Sequence, residues 1–88
     1  MKLIGSDICK NCREAKRYLQ EKGISYTWVD LTEDTEKMRY FLGLRDTSPV
    51  FDGVKAEGKI GIPCFVLSDG TLTLDLKTAL IGEGFSPD

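Results

Sequence analysis

The first thirty residues change their hydrophobic period twice. Leu3-Ile4 is a short apolar run checked at Gly5, which predicts a strand over residues 1–5. From Cys9 the spacing turns helical. Cys12, Ala15, Tyr18, Leu19 and Lys22 share one face, while Arg13, Glu14, Lys16, Arg17, Gln20 and Glu21 take the other. That predicts a helix over residues 11–22, ended at Gly23. Residues 24–31 are rich in β-branched and aromatic side chains and predict a second strand. Strand, helix and strand at this spacing form a βαβ unit, with parallel strands and a right-handed crossover.

The rest continues in short elements. Thr32-Glu33-Asp34-Thr35-Glu36 has the cap formers and acidic first turn of a helix, with Met38, Phe41 and Leu42 as its apolar stripe and an end near Gly43. Ser48-Pro49 opens a second, shorter helical piece with Phe51 and Val54 inward and Gly58 closing it. Ile60 to Leu67 leads into a third strand; Pro63, which lacks an N–H, belongs at its start. Ser68-Asp69-Gly70 predicts a hairpin turn into a fourth strand, residues 71–74, with Leu72 and Leu74 facing in. Asp75 then caps a last helix over residues 76–81, and the tail from Phe85 is expected to fray unless Phe85 docks.

Composition narrows the class. Eighty-eight residues make one domain, 1–88, with 41% apolar residues to supply a core. A net charge of −2 gives no electrostatic case for nucleic acid or an anionic membrane. No apolar run approaches the roughly 20 residues of a membrane span, and Met1-Lys2-Leu3-Ile4 meets Gly5-Ser6-Asp7 too soon for a signal peptide. A cytoplasmic location is expected, where thiols are kept reduced. Histidine is absent, which removes Ser-His-Asp and Cys-His pairs and any mixed Cys/His zinc site.

The candidate chemistry then sits in Ile8-Cys9-Lys10-Asn11-Cys12-Arg13, two thiols three residues apart at a strand-to-helix junction. Unpaired N–H groups and the positive end of the helix dipole favour an anion at Cys9. Cys12 lies one turn further, on the core face. Cys9 is therefore the expected attacking thiol and Cys12 the resolving one. Cys64, just after Pro63, reads as a small buried hydrophobe, with a third reactive thiol as the alternative. Asp52, Lys55, Glu57 and Lys59 read as a solvated loop, with a partner contact as the alternative.

Over about residues 1–81, the order of strand, CxxC helix, strand, helix, Ile62-Pro63 strand, Ser68-Asp69-Gly70 hairpin and last helix resembles the glutaredoxins, small members of the thioredoxin-fold superfamily. The resemblance implies an α/β thioredoxin-like fold, with a four-stranded mixed sheet in the order β-α-β-α-β-β-α and helices on both faces. It implies that Pro63 is cis and faces the cysteines, and that Ile62 offers backbone hydrogen bonds to the chain carrying the substrate thiol. It also implies a monomeric thiol–disulfide oxidoreductase of cell redox homeostasis that requires no metal or organic cofactor. Its partners would be a disulfide-containing protein or a glutathione mixed disulfide, and a thiol system such as glutathione would reduce it again. Two departures stand out. Lys10-Asn11 replaces the usual proline and aromatic between the cysteines, and Thr73-Leu74-Asp75 replaces the usual Gly-Gly and acid. Asp75 keeps the acid and is the candidate glutathione contact. The run from Cys9 to Leu31 is also similar to arsenate reductase-like proteins, but those are longer and carry an arginine near the proline, whereas no arginine follows Arg45 here. An Fe–S cluster or metal carrier of the same fold, and a redox-silent interaction module, stay open as alternatives.

Overall fold

A computed structural model describes residues 1–86. Strand β1, Lys2–Gly5, is the inner strand around which the sheet grows. Helix α1, Lys10–Glu21, crosses over to β2, Thr27–Asp30, which runs parallel to β1 with Lys2 opposite Thr27 and Gly5 opposite Asp30. The other side of β1 takes β3, Cys64–Val66, and then β4, Leu72–Thr73, each antiparallel to its neighbour. The sheet order is β2-β1-β3-β4.

Side chains alternate across a strand, and directly paired residues share a face. Leu3 pairs with Phe65, and both enter one core with Ala15 and Leu19 of α1 and with Ala79 and Leu80 of α4, Leu76–Gly82. Ile4 pairs with Cys64, and both enter the opposite core with Leu31, Phe41 and Phe51. That second core is covered by α2, Thr35–Thr47, by a 3-10 turn, Pro49–Phe51, and by α3, Asp52–Ala56. Phe41 and Phe51 meet edge to face, ring centres 5.7 Å apart. The expected βαβαββα arrangement, with helices on both faces, is present, and the architecture is thioredoxin-like.

Three local expectations need correction. The helix expected to stop near Gly43 runs on to Thr47. Leu44 packs against the second core, and the chain leaves the helix only at Ser48, where Pro49 follows. The stripe shifts with it: Phe41 is buried, but Met38 and Leu42 are exposed and Leu44 takes the inner position. The second strand is half its expected length. Its ladder opens where the Thr27 amide donates to Met1 and closes where the Leu31 amide donates to Gly5, so short β1 sets the limit.

Other elements lie close to their predicted places. Asp75 caps α4, its Oδ2 accepting from the Thr78 amide at 2.9 Å, and Ser48 caps the 3-10 turn. The hairpin closes through the Gly70 amide donating to the Leu67 carbonyl at 2.9 Å. Phe85 stays partly exposed, but its amide donates to the Leu80 carbonyl at 2.8 Å. The tail beyond residue 86 lies outside the described residues.

Candidate active site

Cys9 is the N-cap residue of α1, in extended backbone, and its side chain makes no capping hydrogen bond. Its amide donates to the Ser6 carbonyl and its carbonyl accepts from the Arg13 amide, each at 3.1 Å. The turn through Ser6, Asp7 and Ile8 therefore delivers Cys9 to the helix end with a sulfur that caps no backbone amide and meets the Cys12 thiol instead. Buried Ser6 stiffens this turn, its hydroxyl lying 3.2 Å from that of Thr32. Asp7 points away to Lys16, whose ammonium lies 2.9 Å from the carboxylate and 4.0 Å from the Trp28 ring centre. Arg13 donates to the Asp7 carbonyl at 2.8 Å.

The two thiols have unequal surroundings. Cys9 is half-buried at the surface; Cys12, one turn along the core face, is 0% exposed. The pair approaches to 3.3 Å. Burial pushes the Cys12 thiol up to about 12, and the neighbouring Cys9 and Asp7 push the same way. The Ser6 backbone opposes this with a hydrogen bond. Cys12 fits because β1 ends in a glycine: a Cβ on Gly5 would stand 2.6 Å from the Cys12 sulfur and 3.3 Å from the Trp28 ring. A glycine closing a strand signals such close approach, and that signal in the sequence was there to be read.

Cys9 opens onto a cleft of about 650 Å³. Ile8, Cys9 and Asn11 form one wall; Gly61, Ile62 and Pro63 form the other. The Ile62–Pro63 peptide is cis. The second wall is held from behind. Arg45, in the last turn of α2, donates through Nε to the Ile60 carbonyl at 2.8 Å and through an Nη to the Lys59 carbonyl at 2.7 Å. Gly61 completes the wall with φ +99°, and a Cβ there would meet the Phe51 ring at 2.7 Å. Arg45 was not anticipated, because its partners lie 14 and 15 residues further on and no local pattern links them.

Among the predicted site residues, Cys9, Ile62 and Pro63 share the cleft and Cys12 lies beneath Cys9. Asp75 is outside the lining, although its neighbour Leu74 is part of it. The Asp75 carboxylate is engaged by Thr78, whose amide and hydroxyl hold it below the usual carboxylate range. Cys64 is 0% exposed in the second core, where burial alone pushes its thiol up to about 11. It sits as a small buried hydrophobe, away from the Cys9 cleft.

A family model described as Glutaredoxin matches residues 1–51, from β1 through the 3-10 turn. A protein of Haemophilus influenzae described as uncharacterized is 32% identical over 75 residues, spanning 85% of this chain and 87% of its own. No solved structure matches.

Proposed function

The chain belongs to the glutaredoxin family, proteins of thiol–disulfide oxidoreductase type, and from that premise we propose that it reduces disulfides with Cys9 as nucleophile and Cys12 as resolving thiol. The observation that carries this reading is the unequal pair: a surface thiol on the rim of a cleft, with a fully buried thiol 3.3 Å away.

The chemistry follows from that asymmetry. The Cys9 thiolate attacks one sulfur of a bound disulfide; the other sulfur leaves with the bonding electron pair and takes a proton. Cys9 is then neutral and bonded to substrate. Its charge no longer opposes ionisation of Cys12, which removes one of the causes holding that thiol protonated. Cys12 loses its proton, attacks the Cys9 sulfur and forms the Cys9–Cys12 disulfide, and the second substrate thiol departs. Two electrons have passed from the protein dithiol to the substrate. An outside reductant, two molecules of a monothiol such as glutathione or one dithiol protein, returns them. Burial thus keeps Cys12 quiet until it has something to resolve. Ile62 and Pro63, facing Cys9, align the substrate chain beside the attacking sulfur.

Mass spectrometry after incubation with a disulfide peptide tests this. Cys12→Ser should accumulate a mixed disulfide at Cys9, and Cys9→Ser should lose exchange. Full activity in Cys9→Ser would sink the proposal.

A further inference from the structure

Ile8, next to Cys9, is 85% exposed, and Ile60 on the opposite wall of the same cleft is 57% exposed. A single exposed isoleucine needs no explanation. Two in the lining that also holds the Cys9 thiol, together with Val54, Ile62 and Leu74, make that lining largely aliphatic. Among the described residues, Lys59 is the only charged one lining it, and its ammonium lies 3.0 Å from Glu57.

The cations of the adjoining helix face elsewhere. Lys10 lies 3.8 Å from Glu14, while Arg13 and Lys16 both reach Asp7. Glu14 also lines the neighbouring groove, which shares Asn11, Pro63 and Leu74 with the cleft. A ligand carrying carboxylates beside its sulfur therefore meets mostly apolar lining and an acidic neighbour, and among the described residues the one cation in that lining, Lys59, is already beside Glu57. A ligand carrying apolar side chains there covers surface that water now wets.

We propose that the disulfide this cleft selects is a peptide disulfide whose cysteine is flanked by aliphatic or aromatic side chains, in preference to glutathione disulfide with its two free carboxylates per thiol. The inference rests on the exchange reading above and adds to it what Ile8 and Ile60 do. The bond changes are the same: Cys9 bonds to the peptide sulfur, and the leaving thiol takes the electron pair and a proton.

The test uses the full chain and three probes with one neutral leaving thiol. These are a peptide with leucine and valine around its cysteine, a peptide with aspartate and glutamate there, and glutathione itself. The apolar probe should be reduced with a kcat/KM roughly tenfold or more above the other two, the discrimination expected of one or two side-chain contacts in an apolar site. In Ile8→Gln/Ile60→Gln, which adds no charge near Cys9, that ratio should fall toward one. Each single variant should give an intermediate value. The inference is overturned alone if the acidic peptide or glutathione reacts as fast as the apolar one, or if the double variant keeps the ratio. Reduction of none of the three would overturn the exchange reading, and this inference with it.

Discussion

The Arg45 guanidinium donates to the Ile60 carbonyl at 2.8 Å, joining the end of α2 to the loop that forms the far wall of the cleft. A second bond to Lys59 makes the clasp bidentate. It needs the turn of helix beyond Gly43, and it fixes the approach to Pro63 from behind.

Arg45→Ala should therefore loosen the wall and leave the thiols in place. Hydrogen bonds from a charged donor contribute about 1.5–3 kcal/mol when buried. Arg45 is half-buried, so a loss of about 1–2 kcal/mol of stability is expected. KM for a disulfide peptide should rise several-fold with kcat little changed. Arg45→Lys, a point charge without the fork, should restore only part of that. Equal falls in kcat and kcat/KM would instead place Arg45 in the chemical step.

Gly5→Ala should be costly at a position that carries no charge or reactive group. The added methyl meets the Cys12 sulfur at 2.6 Å, inside a packed core. Overpacking of this kind costs about 1–3 kcal/mol, which a urea titration would read. The displaced Cys12 should also resolve more slowly, so more mixed disulfide should persist at Cys9. A wild-type urea midpoint would contradict the close approach.

Alkaline pH should weaken the fold through its two buried thiols. Cys12 and Cys64 are raised from 9.0 to about 12 and about 11, so the folded chain keeps protons that the unfolded chain gives up first. Their contribution is fully present below about pH 9 and drains as pH rises toward 11 and beyond. The slope approaches about 1.4 kcal/mol per pH unit for each thiol while its unfolded form is ionised. Urea midpoints measured from neutral to alkaline pH should fall along this limb, and Cys64→Ala should flatten it.

Asp75→Ala should cost about 1 kcal/mol through loss of the α4 cap, with Asp75→Asn recovering most of it. Thermal melts of the two variants decide this. Equal destabilisation by both would mean that the carboxylate does more than accept the Thr78 amide and hydroxyl.

The βαβ opening was legible because local rules govern it. Cys12, Ala15 and Leu19 repeat at helical spacing, and the same three residues are the buried face of α1. The caps at Ser48 and Asp75 were legible for the same reason, since a short polar side chain and a nearby amide settle them. The end of α2 was not. Gly43 disfavours a helix by about 1 kcal/mol, and that local preference yields to the packing of Leu44 and the clasp of Arg45.

By itself, then, the chain order determined that two thiols stand at a strand–helix junction, with Cys12 turned inward and Cys9 left at the helix end. Periodicity and end effects act over a few residues, and the sequence displays them directly. Only the tertiary structure decided what surrounds that pair. Arg45 holds the wall ahead of Pro63, and Ile8 and Ile60 come to line one cleft. These relationships join residues far apart in the chain, beyond the few residues over which periodicity and end effects act.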